Sequence, residues 1–149
     1  MPNIVEEPYV EKWIYQKLVA SSVLAASPVG AKIFRGRFIP QADGLINLPC
    51  VRYYRLYAYD NLTINSSRVY NRLFYRIEAC DRSDSIQHLR DVANEVDSLI
   101  GIRSVQQVVD SVCVIEYAVR YSTSTTEMQD NGEQFQFLGA TYEIAAKSV

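Results

Sequence analysis

The hydrophobic period of the sequence changes from two residues to about 3.6 within a short stretch of the chain. Apolar and polar residues alternate over 69–79, which predicts a strand with one apolar face. Over 84–100 apolar residues recur every three or four positions, which predicts an amphipathic helix with Ser83 or Asp84 as N-cap and Gly101 as left-handed C-cap. Strand and helix must each bury one apolar face, so the sequence favours a layered fold of helix on sheet. The apolar sets are Leu73, Tyr75, Ile77 and Ala79 in the strand and Ile86, Leu89, Val92, Ala93, Val96, Leu99 and Ile100 in the helix.

The rest of the chain adds one helix and several strands to this pair. Apolar spacing predicts an N-terminal helix over about 8–26, ending before Ser27-Pro28. Residues that favour pleated surfaces predict strands. These strands cover 31–38, 50–59, 111–121 and 135–147. The polar stretch of about 122–133 is predicted to be a flexible loop. The whole chain, 1–149, is predicted to be a single α+β domain, a mainly antiparallel sheet with two helices packed on one face.

Composition excludes several broad classes of protein. A length of 149 residues suits one domain, and 48% hydrophobic residues provide enough apolar surface for a core, which argues against intrinsic disorder. The net charge of −2 argues against strong general binding to nucleic acid. The 11 tyrosines suit strands and subunit interfaces alike, and therefore hint at assembly.

The sequence shows no pattern typical of a catalytic or cofactor site. His88, the single histidine, has no nucleophile placed beside it by a motif and is predicted to lie at the surface. The three cysteines, at 50, 80 and 113, have no C-x-x-C spacing and are predicted to be buried structural thiols. No glycine-rich phosphate loop is present. We therefore expect no enzyme activity, cofactor or metal.

Charge is distributed unevenly along the chain. The segment 32–76 carries eight basic residues and two acidic ones, whereas 77–133 carries four basic residues and eleven acidic ones. One interpretation is that these are ordinary outward strand faces and a solvated helix. A second is a head-to-tail subunit interface, because arginine pairs well with carboxylates and heterologous contacts close into rings. A third, ranked last, is stacking of tyrosines and arginines on single-stranded nucleic acid. The interface candidates are Arg52, Arg55, Arg72 and Arg76 against Asp91 and Glu95.

The order of these pieces resembles the tail-terminator, or tail-completion, proteins of long-tailed bacteriophages. The similar parts are the N-terminal helix, the segments 29–34 and 48–51, the strand ending at 75–80, the polar step 81–84 into the amphipathic helix, and the closing strand 139–144. The similarity is one of layout and spacing over nearly the whole chain.

The resemblance implies a ring, usually of six copies, on the head-proximal end of a phage tail tube. Such a ring ends tube polymerisation and joins the tail to the head connector, so the implied partners are a second copy, the tail-tube protein and the connector or neck protein. DNA would only pass through the channel, no membrane would be involved, and the protein would be found in the virion after assembly in the host cytoplasm. The predicted loop supplies candidate docking residues, which are Thr126, Glu127, Met128, Gln129 and Asp130. The alternatives are a head-tail connector or neck subunit and, less favoured, a small α+β ligand-binding domain or enzyme.

Overall fold

A six-stranded sheet with helices on one face organises the protein. The structure, a computed structural model, describes residues 6–36, 41–42, 45–46, 48–62, 68–82, 87–130 and 133–149. The helices are α1 (Glu6–Val19), α2 (Ser22–Ala26) and α3 (Gln87–Ile100). The strands are β1 (Ile33–Arg35), β2 (Gln41–Ala42), β3 (Leu45–Ile46), β4 (Cys50–Leu62), β5 (Arg68–Arg82), β6 (Arg103–Val109), β7 (Cys113–Asp130) and β8 (Glu133–Ser148).

The main sheet has the order β1-β4-β5-β8-β7-β6, and β2 pairs separately with β3. Within the main sheet β1 runs parallel to β4, and the other neighbours are antiparallel. The predicted α+β fold with a mainly antiparallel sheet is therefore confirmed. The strand predicted over 69–79 is β5, which lies at the centre of the sheet next to β8.

The core lies between the sheet and the two longer helices. The strand residues Leu73, Tyr75, Ile77 and Ala79 are all buried on the helix side, as the alternation predicted. The apolar stripe of α3 is buried at Leu89, Val92, Val96 and Ile100, and α1 contributes Val10, Trp13, Ile14 and Leu18. Each buried valine, leucine or isoleucine among these residues contributes about 1.5–3 kcal/mol through burial. The Trp13 Nε1–H group donates a hydrogen bond to Gln107 Oε1 at 2.9 Å, which ties α1 to β6.

Helix ends differ from the sequence prediction at two places. The helix predicted over 8–26 is broken at residues 20–21, where Ser21 Oγ accepts the Leu24 N–H at 3.1 Å and so caps α2. The predicted end of α3 at Ile100 is confirmed, but its predicted start at about Asp84 lies outside the described residues. The left-handed cap at Gly101 is wrong. Its N–H still bonds to the Asp97 carbonyl at 2.9 Å, and the residue with positive φ is Arg103, at 67°.

The flexible loop predicted over 122–133 is wrong for the residues that the structure describes. This stretch is the far half of β7, and the ladder continues from Ser122 opposite Thr141 to Asp130 opposite Glu133. The run looked like a loop because it is polar, but β-branched threonine suits a pleated strand. Its partner β8 is anchored by the buried Phe135 and Phe137, so pairing outweighs the loop-like composition. Residues 131–132 lie outside the description.

The strand β6 was not predicted from the sequence. It forms a hairpin with β7 through Asp110 and Ser111, both at positive φ (52° and 58°), and Val112 N–H bonds to the Val109 carbonyl at 3.0 Å. Two successive positive φ values characterise a type I′ turn, which sequence reasoning recognises mainly through Asn-Gly or Asp-Gly. Because Asp110-Ser111 lacks that glycine, the turn could not be recognised from its residue types, and β6 was missed with it.

Candidate assembly surface

The sheet face opposite the helices carries Arg52, Arg72 and Arg76, three of the four arginines that the sequence singled out. The fourth, Arg55, lies on the helix side, opposite Tyr75. Arg52 lies beside Glu78 of the neighbouring strand, with its guanidinium nitrogen 3.1 Å from Glu78 Oε1. The side chains are 12% and 1% exposed, and the guanidinium also covers the Phe137 ring at 3.8 Å. Breaking such a buried pair leaves an uncompensated charge, so Arg52 has a structural task within the subunit.

The other three predicted interface arginines also pair with carboxylates inside the subunit, with one exception. Arg55 lies 2.5 Å from Glu7 of α1, and Arg72 pairs with Glu143 of β8, a contact that raises the pKa of the Arg72 guanidinium. The exception is Arg76 in β5, whose Nε is buried and has no hydrogen-bond partner among the described residues. Of the four predicted interface arginines, Arg76 is therefore the one without an ion pair to a carboxylate among the described residues.

The two acidic interface candidates lie in different surroundings on α3. Asp91 is exposed, whereas Glu95 is half-buried and accepts a hydrogen bond from Ser21 Oγ at 2.9 Å. Glu95 thus supports the junction between α1 and α2 as well as carrying charge. A role of these two residues in subunit contact stays a prediction.

An aromatic cluster lies on the same face as Arg72 and Arg76. The Phe74 ring, 2% exposed, is surrounded by Tyr57, Tyr121 and Tyr59 at centroid distances of 4.6, 5.4 and 6.0 Å. These three tyrosines, which we call the tyrosine patch, are 39%, 64% and 54% exposed respectively. Amphipathic rings of this kind are enriched at protein interfaces. Sequence reasoning counted the tyrosines but missed the patch, because Tyr121 joins it only through the register of β7.

Two strand edges of the main sheet are only partly covered among the described residues. The strand β1 pairs with β4 at 51–53 and β6 pairs with β7 up to Ala118, which leaves 54–62 and 119–130 without a neighbour on the outer side. Across the sheet, Tyr53 of β4 lies opposite Ile77 of β5, Ile77 lies opposite Ala140 of β8, and Ala140 lies opposite Thr123 of β7. The covered part of β4 is therefore level with the uncovered part of β7. An uncovered edge presents unpaired N–H and C=O groups and is a template for another chain.

The docking residues predicted from the sequence lie at the far end of this β7 edge. Thr126 is exposed, and Glu127, Met128, Gln129 and Asp130 continue the strand. They are thus brought together with the uncovered edge, although as part of a strand and not of a loop.

The geometry of the described residues offers little for catalysis. His88 is exposed, as predicted, and its Nε2 lies 2.6 Å from Asp81 Oδ2. Burial raises the pKa of Tyr75 and of Tyr142, so both phenols stay protonated near neutral pH.

A polar groove of about 760 Å³ runs between α3, β6 and β7, and none of the described residues that line it is a histidine or cysteine. The described part of the chain holds no cluster of three metal-ligating side chains and no helix suited to span a membrane.

Comparison with known proteins gives matches for the fold. No family model matches the chain, and no curated protein matches it. A chain in the virion of a native gene transfer agent particle has the same fold, with a TM-score of 0.72 at 12% identity, covering 97% of this chain and 99% of that chain. A second solved protein, whose name describes no function, matches with a TM-score of 0.52 at 13% identity, covering 93% and 94% of the two chains. The likeness therefore extends over nearly the whole length of both partners.

Proposed function

We propose that this chain is a virion structural protein of the tail-terminator type, which forms a ring on the head-proximal end of a phage tail tube. The observation that carries the proposal is the fold shared with a virion chain over 97% of this protein. The expected ring of about six copies ends tube growth and offers its outer side to the head connector. This role needs no catalytic residue, cofactor or metal.

The two uncovered edges give the ring a mode of closure. The strands β4 and β7 run in opposite directions within one sheet. A neighbouring copy related by rotation about an axis inclined to the strands, which displaces it along them, would therefore place its uncovered β7 edge antiparallel to the uncovered β4 edge of the first copy. Because the two edges differ, the contact is heterologous, and repetition closes into a ring. The tyrosine patch and Arg76 lie on the open face and would add side-chain contacts between copies.

Other partners follow from the same arrangement. The end of β7 around Thr126–Asp130 would dock on the tail-tube protein or on the connector, and DNA would pass through the channel without a specific site. A connector or neck subunit would share the ring habit, so the test must separate binding to the tube from binding to the head.

The proposal is tested by measuring mass by light scattering, alone and with the tail-tube protein of the same phage, followed by electron microscopy. Rings of about six copies at tube ends, with tube length fixed, are expected. Rings that ignore the tube but bind the portal vertex of heads would replace the terminator with the connector. A monomer indifferent to both would overturn the virion role and favour a ligand-binding domain.

The uncovered β7 edge supplies a direct test of ring closure. Backbone groups of Tyr53 face β1, because Gly36 N–H donates to the Tyr53 carbonyl at 2.8 Å. In an antiparallel ladder, successive residues turn their backbone N–H and C=O groups to opposite sides of the strand. Followed from Tyr53 through Ile77 and Ala140, this alternation turns the backbone groups of Thr123 and Thr125 away from β8, toward the free edge. Thr123→Pro with Thr125→Pro removes two outward donors and is expected to weaken self-association at least tenfold by light scattering, while the edge position preserves the fold.

The matched control is Thr123→Val with Thr125→Val, which changes the side chains but keeps both N–H groups. This variant is expected to associate like the natural protein. If the proline variant remained folded by circular dichroism and still formed rings, edge pairing would be the wrong interface.

Arg76 supplies a second test, on the open face. Arg76→Gln keeps a polar side chain but removes the charge, and we expect self-association to weaken about tenfold or more, since a hydrogen bond to a charged group contributes about 1.5–3 kcal/mol. The exposed Arg103 is the control, because Arg103→Gln removes the same charge on β6. Equal association constants for the two variants would exclude Arg76 from the interface.

A further inference from the structure

Two of the three cysteines face each other across neighbouring strands. Cys50, the first residue of β4, lies directly opposite Cys80 of β5. Both thiols are free and fully buried, and both belong to a small apolar cluster with Phe135 and Phe137 on the open side of the sheet. Their separation of 30 positions in the sequence gives no motif, so only the register of the ladder reveals the pair.

The backbone places the pair at a separation that a disulfide can span. Val51 donates its N–H to the Lys32 carbonyl at 2.9 Å, on the β1 side, so the alternate residue Cys50 turns its backbone groups toward β5. A pair of this hydrogen-bonded type has Cα atoms about 5.5 Å apart. Disulfides accept Cα separations of about 4.4–6.8 Å. Oxidation therefore needs rotation of two side chains and little movement of the strands.

The two thiols are chemically unequal. A hydrogen bond from the Cys80 thiol lowers the pKa of Cys50, against the effect of burial, and nearby Arg52 acts in the same direction. The same hydrogen bond, together with burial, raises the pKa of Cys80. Cys113 lies apart in β7, and burial raises its pKa to about 11, so it serves as an internal reference thiol.

We propose that Cys50 and Cys80 form an oxidation site, which a peroxide converts into a disulfide that joins β4 to β5. The Cys50 thiolate attacks one oxygen of hydrogen peroxide, an S–O bond forms, the O–O bond breaks, and the leaving hydroxide takes up a proton as water. The Cys80 sulfur then attacks the sulfenic sulfur, the S–S bond forms as the S–O bond breaks, and the leaving hydroxide takes up the Cys80 thiol proton as a second water. In sum the two thiols lose two electrons and two protons, and the peroxide is reduced to two waters.

Oxidation at this position would act on the strand that carries one of the free edges. The bond would join the first residue of β4 covalently to β5, at the centre of the sheet. The uncovered part of β4 would then follow a covalently fixed first residue. A protein exposed to peroxide after leaving a reducing compartment would gain this link without any change of fold.

The test oxidises the folded protein with hydrogen peroxide, removes the peroxide with catalase, and then unfolds and alkylates the protein without reductant before peptide mapping by mass spectrometry. The expected map shows a peptide that links Cys50 to Cys80, with Cys113 recovered in alkylated form. Dithiothreitol should restore all three alkylatable thiols and reverse a rise in the melting temperature. Because the measurement is made on the isolated chain, its outcome is separate from the ring proposal.

Two outcomes would overturn the proposal. One is recovery of both Cys50 and Cys80 as alkylated or singly oxidised residues from the folded protein. The positive control for this outcome is protein unfolded with guanidinium, in which the same peroxide treatment must link cysteines. The other is a link that includes Cys113. A Cys113→Ser variant is expected to give the same 50–80 link, and Cys80→Ala is expected to leave Cys50 as a sulfenic acid that dimedone traps. If Cys80→Ala does not fold, the map of the natural protein still decides.

Discussion

The variant Gly139→Ala is expected to be severely destabilised, although it adds only one methyl group. Gly139 lies in β8 opposite Glu78 of β5, at the centre of the sheet. A Cβ atom at this position would lie 2.1 Å from the Ile77 carbonyl oxygen and 2.7 Å from the Glu78 Cα, both backbone atoms. Relief of this clash must move β8 away from β5, which disturbs the pairing of the two central strands. We expect a loss of about 3 kcal/mol or more in the free energy of unfolding.

Thermal and urea unfolding would measure this loss, with an expected fall in melting temperature of roughly 6–12 °C. Gly30→Ala is the matched comparison, because Gly30 has φ of +57° but open space around its Cβ position. Backbone strain alone should cost about 1–2 kcal/mol there. A loss at Gly139 no larger than that at Gly30 would mean that the two central strands lie further apart than described.

The variant Val96→Asp is expected to unfold the protein. Val96 is 2% exposed, and it belongs to the apolar stripe of α3 that packs on the sheet. An aspartate there places a carboxylate in the apolar core between α3 and the sheet, at a cost of about 4 kcal/mol or more. Such a cost approaches the total stability of a typical domain, about 5–15 kcal/mol. Far-UV circular dichroism and urea titration should show a largely unfolded chain or a greatly lowered midpoint.

Asn94→Asp provides the control, because it introduces the same charge at an exposed position of the same helix. Its effect on the free energy of unfolding should stay within about 0.5 kcal/mol. If both variants kept the natural midpoint, α3 would not bury the stripe that includes Val96.

The elements predicted correctly are those whose pattern is local and strongly periodic. The apolar stripe of α3 and the alternation of β5 each follow from side-chain spacing within one segment. The structure buries the four predicted β5 residues, and it buries Leu89, Val92, Val96 and Ile100 of the α3 stripe. The errors occur where pairing with a distant strand decides the outcome. The polar run 122–130 becomes a strand because β8 provides a partner, and β6 depends on a turn without glycine.

The candidate surface was predictable only in its residue types. Arginine and tyrosine enrichment was visible in the sequence, but which arginine lacks a carboxylate partner depends on acidic residues from other elements. Glu7 comes from α1 and Glu143 from β8, and neither is close in sequence to the arginine that it pairs with. The cysteine pair is a further case, because its two members meet only through strand register.

The sheet order also determines how the chain reaches its native state. The neighbouring central strands β5 and β8 are separated along the chain by α3, β6 and β7. A long loop must therefore close before the middle of the sheet exists, and such high contact order is typical of domains that fold in milliseconds to seconds. The hairpin of β6 and β7 and the helix α3 can form locally and early. The strand β8 lies between β5 and β7 in the sheet and follows both of them along the chain. Pairing of β8 with these two strands is therefore expected to be the cooperative step that joins the locally formed elements into one core.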